Sequence, residues 1–552
     1  MTTSDHRPPP PRRRRLLMIM LAAIGVIALV VATAVAFSSR GGGGSVSEPE
    51  PSSTGAPYQR PTGGDPFRPA VHITPERNWM NDPQKPFLLD GVWHFYYLYN
   101  ADYPDGNGTS WYHATSTDLV HWEDRGVAIE KYANGLGDIW TGTAVVDHDD
   151  TAGFGAGAVI ALVTQQDDGV QRQSLFVSQD GGYRFESYEA NPVMENPGVA
   201  DWRDPRVLWD EAAQHWVMAL AEHDRIGFYT SPDLRQWTYR SDFVTTGLGV
   251  LECPDLFPLA VDGDPSDVRW VLAAGANGTA EGMTTGTVYW IGDWDGERFT
   301  ADEPAHQWLD HGSDYYAAVT WDDPTLPEEE RLASRYGIGW MNNWAYAGSL
   351  PMQEWQGGSD TIIRSIRLGS DGDGLKLIST PAEELRQLEG APRAIDDVQV
   401  DAGTTAELAR PDSDAYRLTL ELSPVGGGGE ARVRVLTGDG TSVTVGYDFD
   451  AQAVFVARDA DAVAAQMPDA YRQVRATPVA ATDGRIRLDI VVDVASIEVF
   501  AADGAASLSM ATFGSSGERQ LVMEAARGGV EVTGATLTPL RVAEIDRLPS
   551  GG

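Results

Sequence analysis

Apolar residues are distributed along this chain in three different patterns. Leu16 to Phe37 is an uncharged run of 22 residues behind four consecutive arginines, Arg12 to Arg15. From about Phe67 to Leu377, short apolar runs alternate with turn residues and no helical period is sustained, which predicts strands. Beyond residue 391 the alternation has a period of two, in Tyr416–Leu422, Ala431–Leu436, Ile486–Val492 and Ser496–Phe500. Half-buried strands joined by Gly- and Asp-rich turns predict a β-sandwich over residues 391–552. Residues 378–390 read as a short helical connection between the two regions, capped by Thr380 ahead of Pro381.

The middle region repeats itself. A strand is followed by an Asp-led turn and an aromatic residue at Asp118–Trp122 and Asp233–Trp237, with weaker copies at Asp180–Phe185 and Asp295–Phe299. Continuous apolar strands recur in step, at Val92–Tyr99, Val159–Thr164, His215–Glu222, Trp270–Gly275 and Tyr336–Met341. Several strands per copy and five copies predict a five-bladed β-propeller over residues 67–377. The expected fold class is therefore all-β, propeller first and sandwich second.

The N-terminal run changes the compartment. A signal-peptide core is about 7–15 residues long, whereas about 20 span a bilayer, so residues 1–38 read as a signal peptide or signal anchor. Positive charge ahead of the run sends the rest of the chain outward. If uncleaved, this helix ties the protein to the membrane. Residues 39–66, with Gly41 to Gly44 and scattered Pro, Ser and Glu, read as a flexible linker. The expected location is extracellular, secreted or tethered to the outer face of the cell membrane.

Charge and cysteine content exclude several functions. The 552 residues carry a formal net charge of −39, which would repel rather than steer a nucleic acid. Residues 1–40 hold six Arg against one Asp, so the exported part is more acidic still. The single cysteine, Cys253, excludes an intramolecular disulfide and a cysteine-built zinc site. No motif for a metal, phosphate or dinucleotide occurs, and no cofactor is expected.

Three acids stand in special settings. Asp82 lies in Trp79-Met80-Asn81-Asp82-Pro83, Asp204 in Trp202-Arg203-Asp204-Pro205, and Glu252 in Leu251-Glu252-Cys253-Pro254. Each precedes a predicted strand of a different blade, and the inner strands of a propeller converge on its axis. Arg203 is placed to hold Asp204 ionised. A carboxylate nucleophile and a protonated carboxyl about 5–5.5 Å apart are what retaining glycoside cleavage requires. Trp111, Trp140 and Trp344 are candidate walls for a sugar ring.

With these motifs the sequence resembles glycoside hydrolase family 32, the β-fructosidases. Trp140-Thr141-Gly142-Thr143, Trp340-Met341-Asn342-Asn343-Trp344 and Ser496-Ile497-Glu498-Val499-Phe500 are similar to further signatures of that family. The resemblance covers residues 68 to 545. It implies a propeller plus sandwich and double-displacement hydrolysis of β-fructosides. Asp82 would be the nucleophile, Asp204 the transition-state stabiliser and Glu252 the acid/base. Asn81, Trp111, Trp140, Thr141, Arg203 and Trp344 would contact substrate.

Two departures narrow the resemblance. Gln84 and Lys85 replace the Asn-Gly usual after Asp-Pro, and Leu98 replaces a Gln in Tyr97-Leu98-Tyr99-Asn100. These segments, with Asp102–Thr109 and Gly137–Gly142, are similar to those of levanbiose-producing endo-levanases. The expected activity is cleavage of β-2,6 bonds of the fructan levan, endo-acting and releasing levanbiose. Alternatives are a levan fructotransferase forming a cyclic difructose anhydride, an exo-acting β-fructosidase, and a non-catalytic fructan-binding surface protein.

Overall fold

The computed structural model describes residues 65–371, 374–436, 440–514 and 519–541. The expected signal or anchor helix and nearly all of the expected linker lie outside them. Among the described residues no helix is long and apolar enough to cross a membrane.

Five sheets form the propeller, each built on a strand that lines the axis: Asn78–Pro83, Asp138–Asp147, Trp202–Asp210, Glu252–Ala260 and Tyr316–Trp321, in blades I to V. Successive axial strands are stitched to one another. Thr141 Oγ1 of blade II donates to Asp82 of blade I at 2.7 Å, and Thr143 Oγ1 donates to the Pro205 carbonyl of blade III at 2.8 Å. Arg206 pairs with Asp255 of blade IV at 2.7 Å, and the Thr320 N–H of blade V donates to the same carboxylate at 2.9 Å. The ring closes where Trp355 and Gln356 pair in parallel with Asn78 and Trp79.

The five recurrent apolar runs are the second strand of each blade, Val92–Asn100, Ala158–Asp167, His215–Glu222, Val268–Asn277 and Arg335–Met341. Strands covered on both faces are apolar throughout rather than alternating. The Asp-led turns connect the third and fourth strands of blades I to IV. In each, the Asp carboxylate accepts local backbone N–H groups, from Val120 and His121 to Asp118 and from Arg235 and Gln236 to Asp233. The residue after each Asp takes a left-handed backbone: Leu119, Gly181, Leu234 and Gly296. The carboxylate offers the turn a substitute for ladder bonds, so the Asp recurs.

The C-terminal region is sandwich-like, but its strands are continuous across the layers. Tyr416–Leu422 and Ala431–Leu436 belong to one strand, Tyr416–Leu436, bent at Gly426 to Gly429, all of which have positive φ. Its first half pairs with Ile486–Asp493 and its second half with Ser442–Asp448, while Gln520–Pro539 follows it along both. Leu418, Leu420 and Leu422 face Val433, Val445 and Met523 in the core between the layers. The expected helical connection is shorter than its sequence suggests. Blade V continues as a strand through Pro381, where Thr380 pairs with Ser365 instead of capping, and only Glu383–Leu388 is a 3₁₀ turn.

Propeller and sandwich meet through buried charges. Arg364 of blade V donates to Asp310 at 2.8 Å and to Glu498 of the sandwich at 2.6 Å. His72 bridges Asp493 and Glu498 at 2.8 and 2.9 Å, and Arg458 reaches Asp314 at 2.6 Å. All these side chains are fully buried. Losing one partner would strand a buried charge, which costs about 3–5 kcal/mol.

Candidate active site

Each axial strand is interrupted near its start by a break in the ladder register. The breaks fall between Asn81 and Pro83, Ile139 and Gly142, Arg203 and Arg206, Glu252 and Asp255, and Tyr316 and Val319. A bulge re-aims the side chains around it. Four residues at these positions have positive φ: Asp82 (20°), Asp204 (65°), Cys253 (46°) and Ala317 (48°). Such backbones cost of order 1–3 kcal/mol each and persist only where their surroundings hold them. Here the Gln84 amide donates to the Asp82 carbonyl at 2.8 Å, and the Asp204 N–H donates to Thr164 Oγ1 at 2.9 Å.

The bulges bring the three acids together. Cys253 donates through its N–H to Asp204 Oδ2 at 3.0 Å. Its Sγ lies 3.6 Å from that oxygen and 3.7 Å from Asp82 Oδ2, so it sits between the two carboxylates. Asp82 also receives the Thr141 hydroxyl and the Asn81 amide at 2.7 and 3.1 Å. Glu252 receives Arg203 Nε and Nη2 on Oε1, at 3.0 and 2.8 Å, and the Tyr316 hydroxyl on Oε2.

Burial sets the electrostatics. It pushes Asp82 above the ordinary carboxylate range, with the Glu252 charge adding to it, while the Thr141 and Asn81 bonds oppose the rise. Burial likewise pushes Asp204 up to about 7; Arg203 pulls it down, and Glu252 and Asp82 push it up. The Cys253 thiol is driven well up by burial and then by Asp204 and Asp82, so it stays a neutral S–H. Burial and the Glu252 charge do the same to the Tyr316 phenol, which remains a donor.

The expected substrate contacts divide. Asn81 and Thr141 are buried against the Asp82 carboxylate. Trp140 is half-buried, its indole N–H on Asp138 at 2.8 Å and its ring 5.9 Å from the Arg203 guanidinium. Trp344 is 47% exposed and stacks on Trp79 with ring centres 6.2 Å apart, leaving an open aromatic face. Trp111 is different. It is fully buried against Tyr96, and its indole N–H supports the Trp140 carbonyl, so it is a core side chain rather than a sugar wall.

Arg203 acts on Asp204 through its charge but makes no direct bond to it. Its guanidinium bonds Glu252 and Asp201 instead of Asp204, because the register break with Asp204 in a left-handed backbone turns the adjacent side chains apart. Tyr316 and Gln84 were not singled out as site residues. Tyr316 opens the axial strand of blade V, the position that the three acids' motifs occupy in blades I, III and IV, and that alignment is the signal for it. Gln84 is fully buried and joins blade I to blade II by accepting the Gly142 N–H at 2.8 Å.

Comparison with known proteins shows the family and the fold. The family model described as Glycosyl hydrolases family 32 N-terminal domain matches residues 72–381, and Glycosyl hydrolases family 32 C terminal matches residues 383–539. A levanbiose-producing levanase of Bacillus subtilis (strain 168) is 42% identical over 456 residues, 81% of this chain and 86% of that protein. A levanbiose-producing levanase of Geobacillus stearothermophilus is 46% identical over 346 residues, covering 62% and 86%. The crystal structure of exo-inulinase from Aspergillus awamori superposes with a TM-score of 0.76 at 27% identity, covering 86% of this chain and 98% of that one. The chain belongs to glycoside hydrolase family 32, and it is a glycoside hydrolase.

Proposed function

We propose that this enzyme hydrolyses β-2,6-fructosidic bonds of levan by a retaining double displacement, acting within the chain and releasing levanbiose. The observation that carries the chemistry is the meeting of Asp82, Asp204 and Glu252 around Cys253 and Arg203, on bulges of three axial strands. The levan reading is supported by the two levanbiose-producing levanases at 42% and 46% identity. The Gln84-Lys85 and Leu98 segments support it as well.

In the first step an Asp82 oxygen attacks C2 of a fructosyl unit as the C2–O bond to the leaving chain breaks. Protonated Glu252 gives its proton to the departing oxygen. Asp204 accepts hydrogen bonds from hydroxyls of the fructosyl ring, most strongly as the ring flattens. Glu252, now ionised, takes a proton from water as the water oxygen attacks C2 and releases Asp82. Arg203 and Tyr316 hold the two oxygens of Glu252 and fix its aim. Trp344, backed by Trp79, offers a flat face to the chain.

The reaction would take place outside the cell, a reading supported by Arg12 to Arg15 and the uncharged run that follows. Product analysis on levan, inulin and sucrose side by side tests the reading. Levanbiose from levan is expected. A cyclic difructose anhydride would make the enzyme a transferase, free fructose alone would make it exo-acting, and binding without cleavage would leave only a fructan-binding protein.

A further inference from the structure

The channel mouth does not end at Glu252. A cavity of about 330 Å³ opens beside it, lined by His223, Asp224 and the loop segment 245–250 that leads from blade III into the axial strand of blade IV. That volume lies at the lower end of the range for small-ligand sites, about 300–1,000 Å³. The His223 carbonyl accepts the Leu251 N–H at 2.7 Å, and the Leu248 carbonyl accepts the Asn277 N–H at 2.9 Å, which fixes the loop beside the acid/base.

A continuous set of side chains joins the cavity to Glu252. His223 Nδ1 is 2.8 Å from Asp201 Oδ2, and Arg203 Nη1 donates to Asp201 Oδ1 at 2.7 Å. Arg203 then reaches Glu252 at 2.8 Å. His223 has a left-handed backbone (φ 66°), which the His223 N–H bond to the Asp201 carbonyl at 2.8 Å helps to hold. The imidazole is more than half exposed, Nδ1 is taken by Asp201, and Thr246, also exposed, lines the same cavity. These groups both donate and accept, and Asp224 has Arg225 3.4 Å away, so the lining suits neutral hydroxyls better than an anion.

Resting on the levan reading, we propose that this cavity binds a fructosyl unit of the leaving-side chain, one step beyond the unit whose oxygen Glu252 protonates. The His223 imidazole meets Glu252 only through two intervening side chains, Asp201 and Arg203, which sets it back from the acid/base. His223, Asp224 and Thr246 would take its hydroxyls.

The test compares kcat/KM on levan with kcat/KM on levantriose, which is too short to reach the cavity once its first two units lie across Asp82. Two variants keep the result independent of one fold defect. His223→Asn keeps a residue tolerant of the left-handed backbone, and Thr246→Trp fills the cavity. The ratio of the two values is expected to fall about 10-fold in both, the order of one lost hydrogen bond. A ratio equal to wild type in both variants overturns the subsite while leaving levan cleavage intact. Failure of the unaltered enzyme to cleave levan or levantriose overturns the levan reading and the subsite with it.

Discussion

Arg203 bonds Glu252 across the gap between blades III and IV, and leaves Asp204, its neighbour in sequence, to Cys253. The guanidinium therefore bonds Glu252 directly and acts on Asp204 only through space, where its charge still pulls that carboxyl down. A single arginine joins Glu252 to Asp201.

Lysine cannot reproduce this fork, because it supplies a point charge where Arg203 supplies three bonded nitrogens. Arg203→Lys should lower kcat roughly 10–150-fold, the range for losing a hydrogen bond to a charged group. Steady-state kinetics with a thermal melt separates this from a folding defect.

Tyr316 holds the other oxygen of Glu252. Tyr316→Phe keeps the ring packed and removes only the donor, so kcat should again fall roughly 10–150-fold with KM little changed. An equal rise in KM would place the hydroxyl on the substrate instead.

Cys253 sits between two carboxylates, and the proposed cycle gives it no proton to carry. Its side chain is buried and its thiol is held neutral, so the folded protein should resist a thiol reagent that reacts at once after unfolding. Cys253→Ala should keep activity within about tenfold, since the lost S–H bonds are weak and the backbone N–H to Asp204 remains.

The interdomain charges predict a pH window of stability. Burial alone would lower His72, but its bonds to Asp493 and Glu498 outweigh it and hold the imidazole up at about 9. Being raised, this group gives its full contribution below about pH 6.5 and loses it as pH climbs through 9. Asp493 and Glu498 are depressed despite burial, Asp493 by His72 and Glu498 by Arg364 and His72, so their contribution fades as pH falls below the usual carboxylate range. Thermal melts should show a plateau in mildly acidic solution and a decline toward pH 9. His72→Gln should lower Tm by several degrees on the plateau and flatten that decline.

Local chemistry was legible in the sequence, and partnerships across blades were not. Asp118 and Asp233 announce their turns because the carboxylate bonds backbone only two and three residues away. The three acids were legible because each stands in a short motif, although Thr141, Cys253, Arg203 and Tyr316, which bond them, come from other blades. Whether a tryptophan faces sugar or core depends on how two blades pack, so Trp111 and Trp344 look alike until the sheets are assembled. The register breaks depend on counting residues against a partner strand, and from them follow the partner of Arg203 and the role of Tyr316, 64 residues from Glu252. Glu498 stood out in the C-terminal signature, but its partners His72 and Arg364 are 426 and 134 residues away.

The central claim is a covalent fructosyl intermediate on Asp82, and it can be trapped. In Glu252→Gln the second step lacks its base, while β-fructosyl fluoride supplies a leaving group that needs no acid. Digestion after an acid quench, followed by mass spectrometry, should find one fructosyl unit on the peptide containing Asp82, and none when Asp82→Asn is added. An adduct on the peptide containing Asp204, or turnover of the fluoride with no adduct in either variant and Asp82→Asn still active, would contradict the account.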